Sequence, residues 1–109
     1  MAALNVFKTV THDITTVNET IYTSPSGYTG IVLMAQITNI SNTTANVTFS
    51  SFNGSTETEL LKDFDVPSND AVSGTIGKLI IETGNSVRVQ SGANSQLKIT
   101  LSVLESANE

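Results

Sequence analysis

Few side chains in this sequence could perform acid–base or nucleophilic chemistry. His12 is the sole histidine and cysteine is absent, so a cysteine–histidine dyad is excluded and a serine triad would need His12 as its base. The G-x-S-x-G, H-E-x-x-H and glycine-rich phosphate-binding motifs are also absent. We therefore predict no catalytic residues, with His12 an exposed polar residue beside Asp13. A small enzyme is the alternative, and it would need a concave pocket around His12.

The densest group of acids is Asp63, Asp65 and Asp70. Carboxylates on a loop suit Ca²⁺, and the i, i+2 spacing places Asp63 and Asp65 on one side of an extended segment. The segment lacks the regular ligand series of an EF-hand, with its Gly at position six and Glu at position twelve. We predict that these are solvated turn acids and that the chain has no metal site and no cofactor.

Charge and hydropathy restrict the partners. Ten acids against five bases give a net charge of −5, and the bases are scattered, so we predict no nucleic-acid binding. No apolar run approaches the roughly 20 residues that span a bilayer, and the start lacks the pattern of a secretion signal. We expect a protein made in the cytoplasm that does not contact a membrane.

Apolar residues alternate with polar ones from Leu97 to Val103, which is typical of a strand with one buried face. Asn53-Gly54 predicts a hairpin with a type I′ turn, and Ser24–Gly30 predicts a firm break between strands. Turn signals recur about every ten residues, which favours an all-β, antiparallel sandwich, or a small barrel-like one, of about eight strands. One domain over residues 1–109 is expected, without a helix longer than two turns.

Three further structural predictions follow from the pattern. Asp13–Val17 is predicted to be a strand, and Asp63–Val66 an edge strand or extended connection before Pro67. Gly30–Ser41 is apolar on both faces at its start, which predicts a central strand that is either covered twice within its own chain or covered once by its own core and once by a neighbour. The predicted core is Ile31, Leu33, Ile37, Val47, Phe49, Leu79, Ile81, Val87, Val89, Leu97, Ile99, Leu101 and Val103.

One long pattern of strand and turn residues is the segment Thr20-Ile21-Tyr22-Thr23-Ser24-Pro25-Ser26-Gly27-Tyr28-Thr29, followed by Ile31-Val32-Leu33. It resembles the opening pattern of small virion proteins of tailed bacteriophages, and the resemblance covers residues 18–105. The similarity continues through Ile37-Thr38-Asn39, Asn46-Val47-Thr48 and residues 77–89 to Leu101–Glu105. The resemblance implies a non-enzymatic component of a phage particle and transfers no catalytic residues.

From this resemblance we expect a virion protein that binds other virion proteins, either the major capsid protein or neck or tail proteins. Capsid decoration is favoured, present in many copies or as a homo-oligomer, with a trimer as the weakly favoured state. Residues 1–17 match the pattern less clearly and are predicted to be an arm or edge strand that adds to a neighbouring sheet, while residues 18–105 fold alone. The predicted contact residues are Leu4, Val6, Phe7, Val10, Val32 and Met34.

A carbohydrate- or receptor-binding tail module is a second alternative. Tyr22, Tyr28, Phe7 and Phe52 are the aromatic residues from which a sugar-binding platform could be built, although tryptophan is absent. An exposed aromatic platform would favour this alternative.

Overall fold

The computed structural model describes residues 5–75 and 77–108, which form nine strands and no helix. The bounds are β1 Asn5–Asp13, β2 Glu19–Thr23, β3 Tyr28–Asn39, β4 Ala45–Phe52, β5 Glu57–Val66, β6 Ala71–Ser73, β7 Leu79–Ile81, β8 Ser86–Ser91 and β9 Leu97–Ala107. All strand pairs are antiparallel, so the predicted antiparallel all-β sandwich is confirmed.

The strands form two sheets. Sheet A has the order β1-β9-β3-β6, with β7 also paired to β3, and sheet B has the order β2-β8-β4-β5. Because β6 and β7 lie along the same edge of β3, they act as one interrupted strand, and the chain crosses between the sheets at most of its connections. Two four-stranded antiparallel sheets connected in this way form a jelly roll.

The core lies between the inner faces of the two sheets. The alternation in β9 is confirmed, since Leu97, Ile99, Leu101 and Val103 are all at most 1% exposed. The predicted core residues Ile37, Val47, Phe49, Ile81, Val87 and Val89 are buried as well. Leu79 is only partly buried, at the margin of the core.

The prediction for the start of β3 is wrong. Val32 pairs with Val103 and Met34 pairs with Ser102, so Leu33 is an extra residue in a β-bulge. The bulge reverses which side chains point inward: Val32 and Ala35 are fully buried, whereas Leu33 is exposed and Ile31 is half-buried. β3 is a central strand of sheet A, and its outward residues Ile31 and Met34 are also apolar, so its start is apolar on both faces although only one face meets the core.

The hairpin at Asn53-Gly54 is confirmed, but its loop is longer than a type I′ turn. Phe52 pairs with Glu57, and the Asn53 N–H donates to the Thr56 carbonyl oxygen. Positive φ is found at Gly54, at 94°, and not at Asn53. The Asn53 side chain instead accepts hydrogen bonds from the N–H groups of Ser55 and Thr56, and this closes a four-residue loop.

Two boundary predictions are also corrected. Asp63–Val66 lies on an edge strand of sheet B, as predicted, but it is the second half of β5 and not a separate element. Asp13 ends β1, and residues 14–18 form the connection to β2, in which Ile14 is fully buried. The predicted strand at Asp13–Val17 is therefore wrong. The buried Ile14 lies at the end of the core, and together with its polar neighbours it produced the apolar–polar alternation of a strand.

Candidate assembly surfaces

Strand β1 is a long, regular sheet edge. It pairs with β9 over nine consecutive positions without a register shift, and its other side faces no strand within the described part of the chain. The remaining edges are blunted, since β2 and β5 carry bulges and β6 and β7 have three residues each. Short or bulged edges resist pairing with another chain, whereas a long straight edge permits it.

The six predicted contact residues differ in how far their side chains are exposed. Phe7 is 74% exposed and Met34 is 38% exposed, so both are available to a partner. Val6 is half-buried, and Val10 packs partly against the core. Val32 has no exposed surface, so its selection as a contact residue is a mistake that follows from the unseen bulge. Leu4 lies outside the described residues.

The inner side of β1 is held by a buried carboxylate. Glu105 of β9 is 2% exposed; it accepts a 2.7 Å hydrogen bond from the Tyr22 hydroxyl, and its other oxygen lies 3.2 Å from Lys8 Nζ. Burial, and then the neighbouring Glu105, raise the pKa of Tyr22, so the hydroxyl stays a donor at neutral pH. Lys8 is the counter-ion of the buried Glu105 carboxylate, so the three side chains connect β1 and β9 of sheet A with β2 of sheet B.

His12, near the end of β1, makes a second connection between β1 and β2. Its Nε2 lies 2.8 Å from Glu19 Oε1, which also accepts from the Thr15 hydroxyl. These hydrogen bonds, first of all that with His12, lower the pKa of Glu19. Since β1 and β2 belong to different sheets, the pair is a link between them. A cleft of about 450 Å³ is lined by residues such as Ile40, Asn94 and Leu97, and His12 is not among them.

Of the three acids considered for Ca²⁺, Asp63 and Asp70 make separate local contacts. Asp63, at a φ of 46°, forms a bulge in β5, where Thr48 Oγ1 lies 3.4 Å from its carboxylate. Asp70 accepts from the Ala71 N–H. Within residues 5–75 and 77–108, no three histidine or acidic side chains gather in a geometry that could hold a metal ion.

The outer face of sheet B carries a charged network that is satisfied within the chain. Glu57 accepts a 2.6 Å hydrogen bond from the Ser50 hydroxyl and further hydrogen bonds from Asn18 and Arg88. These bonds lower the pKa of Glu57, with the Ser50 contact the largest contribution. The Arg88 guanidinium lies 3.7 Å from the centre of the Phe52 ring, so Phe52 is covered by a cation.

The aromatic residues do not form one platform. Tyr22 is buried, Phe52 is covered by Arg88, and the exposed Phe7 and Phe64 lie on different sheets. The arrangement therefore gives no support to the carbohydrate-binding alternative.

Sequence reasoning missed Glu105, although a signal existed. It continues the inward i, i+2 series of Leu101 and Val103, so its position predicts a buried carboxylate that needs a partner. The partners themselves could not be identified, because Tyr22 and Lys8 are 83 and 97 residues away along the chain.

Comparison with protein-family models gives no match, and comparison with curated proteins gives none. Among solved structures, the fold is similar to a chain of the disulfide-linked pili of Bacillus endospore appendages, with a TM-score of 0.61 at 12% identity, covering 96% of this chain and 88% of that one. It is also similar to a chain of the acidic stable capsid structure of Helicobacter pylori bacteriophage KHP30, with a TM-score of 0.57 at 10% identity, covering 100% and 92%.

A pentameric capsid protein from metagenomic phage sequences aligns with a TM-score of 0.44 at 15% identity, over 91% of this chain and 60% of that one. At these identities the two stronger likenesses establish a shared fold. A search of the described residues for helices that are long and apolar enough to cross a membrane found none.

Proposed function

We propose that this chain is a non-enzymatic structural subunit of a tailed-phage virion, with decoration of the capsid as the favoured role. The sequence pattern shared with tailed-phage virion proteins supports the proposal, and so does the jelly-roll likeness to a chain of the KHP30 capsid structure over all of this chain. The likeness to the spore-appendage chain would suggest a pilus subunit instead. It supports that role less well, because those pili are disulfide-linked and the 109 residues contain no cysteine.

The observation that carries the proposal is the uncovered edge of β1. A partner strand can add to this edge, with main-chain hydrogen bonds giving affinity and the exposed Phe7 giving specificity. The partner is another virion protein, either the major capsid protein or a neck or tail protein. A net charge of −5 also helps to keep the subunit soluble before assembly.

The test uses particles purified from the phage that encodes this chain. Mass spectrometry of these particles should detect the polypeptide, and gold-labelled antibodies should bind the capsid shell. Labelling of the neck or tail would identify the chain as a neck or tail protein instead of a capsid decoration protein. Particles without the polypeptide would overturn the proposal.

A matched pair of variants tests the edge. Thr9→Lys introduces a charge at the β1 edge and should reduce incorporation into particles at least several-fold. Thr58→Lys introduces the same charge on the bulged strand β5 and should incorporate normally. Equal incorporation of both variants would exclude β1 as the contact.

A further inference from the structure

The two outer faces of the sandwich differ in charge. On sheet A, the outward positions are the even-numbered residues of β9 from Lys98 to Ser106, together with the residues paired to them on the neighbouring strands. Of these eighteen residues only Asp13 and Lys98 are charged, and they contact each other at 3.8 Å at one end of the sheet. We call this surface the neutral face.

An apolar row crosses the neutral face from one edge to the other. Phe7 lies opposite Leu104, Leu104 opposite Ile31, and Ile31 opposite Ile80. The two ends of the row are the most exposed, at 74% for Phe7 and 58% for Ile80. Met34, 38% exposed, lies beside the row. Contiguous apolar surface on a face depleted of charge is characteristic of the centre of a protein interface.

We propose that the neutral face is the surface through which two copies of this chain associate. Each copy has a net charge of −5, so copies repel one another, and the repulsion is weakest where they meet on a surface without unpaired acids. The outer face of sheet B brings Glu59 and Asp65 toward any partner beside the paired Glu57 and Arg88, whereas the only charges on the neutral face are the paired Asp13 and Lys98. A second copy is therefore the occupant that this distribution of charge favours.

The size and shape of the face fit such a contact. Four strand positions about 4.8 Å apart, each about 27 Å long, give a projected area of roughly 500 Å². The accessible area of a face with protruding side chains is larger, and it approaches the roughly 800 Å² per partner of a specific interface. A two-fold axis along the strands, between β9 and β3, would place Phe7 of each copy against Ile80 of the other.

The experiment measures the oligomeric state of the isolated chain, so it does not depend on any particle. In sedimentation velocity at about 10–100 µM, wild-type protein should be dimeric, and the double variant Phe7→Ser, Ile80→Thr should be monomeric. The matched control Phe64→Ser, which removes a 45% exposed aromatic residue from sheet B, should remain dimeric. A monomeric wild type, or a dimer that survives the double variant and dissociates in the control, would overturn the proposal.

Cross-linking distinguishes face-to-face packing from pairing of two β1 edges. Because the sequence contains no cysteine, single-cysteine variants report one position each. Ser102→Cys, near the centre of the neutral face, should cross-link with a short bis-maleimide reagent, whereas Glu59→Cys on sheet B should not. Failure of Ser102→Cys to cross-link in a chain that still sediments as a dimer would assign the contact to another surface.

Discussion

At the scale of single residues, the contact between Tyr22 and Glu105 joins the two sheets through a buried hydrogen bond. There is no spare room around it, because a Cβ added at Gly30 would lie 2.7 Å from the Tyr22 hydroxyl oxygen. The pair therefore needs glycine at position 30 and a hydroxyl at position 22. Their spacing along the chain gives no hint of this dependence.

Replacement of Tyr22 by Phe should lower the free energy of unfolding by about 1–3 kcal/mol, since it leaves one oxygen of the buried Glu105 without its donor. Urea unfolding monitored by circular dichroism measures the change. In a double-mutant cycle, Glu105→Gln should cost less in the Tyr22→Phe background than in the wild type. Additive effects would mean that the two side chains do not interact.

The lowered pKa of Glu57 predicts how the free energy of unfolding depends on pH. Its pKa is lowered in the folded protein, so the unfolded chain binds more protons at acidic pH. The stabilisation by Glu57 is therefore fully present above about pH 4.5, and it is lost as the pH falls through the pKa that Glu57 has in the folded protein. Glu57→Gln should be less stable than wild type at pH 7 and should lose less stability between pH 5 and pH 3. Thermal melts across this range measure both effects.

The control for this prediction is Glu59→Gln, which removes the same charge two residues away without removing the hydrogen bond from Ser50. It should retain the acid dependence of the wild type. If both variants lose that dependence equally, the cause is net charge and not the network around Glu57.

At the scale of elements, the sequence predicts strands well where one register is kept. The regular alternation of β9 identifies its buried face correctly, because every inward residue there meets the core. The alternation of β3 is misleading, because one extra residue reverses the faces halfway along the strand. Asp63–Val66 also continues β5 beyond a bulge, where the sequence predicts a separate edge strand or extended connection. The candidate surface on β1 could be placed only in part, because exposure depends on which strands pair.

The bulge makes a deletion test possible. Removing Leu33 should leave a regular strand, with Val32 and Ala35 still inward and Met34 still outward, so the variant should fold. Removing Thr100 from the regular strand β9 should turn half of its inward residues outward and prevent folding. Circular dichroism and proteolysis compare the two, and a folded Thr100 deletion together with an unfolded Leu33 deletion would contradict the bulge.

The first strand is also more than an arm. The sequence suggests that residues 18–105 fold alone, but Lys8 balances a buried carboxylate and Val10 packs against the core. We now expect that deletion of residues 2–10 lowers the stability of the remaining chain, because Glu105 would lose its cation. An unchanged melting temperature would restore the interpretation of β1 as a detachable arm.

At the scale of the whole molecule, the proposed dimer brings two charges of −5 within about one subunit thickness of each other, where the two shorter dimensions of a subunit are 26 and 21 Å. The Debye length falls from about 30 Å at 0.01 M salt to about 10 Å at 0.1 M, so added salt screens this repulsion. The dissociation constant should therefore fall several-fold between these concentrations. Sedimentation equilibrium measures it, and a constant that rises with salt would mean that opposite charges meet in the contact.

The central position of β9 has a consequence for synthesis of the protein. This strand joins β1 to β3, so a nascent chain that ends before residue 97 has no means of assembling sheet A. Until β9 leaves the ribosome, β1 and β3 expose unpaired main-chain groups and the apolar faces that later form the core. Sheet A can therefore be completed only after β9 has left the ribosome, and until then the chain is exposed to aggregation.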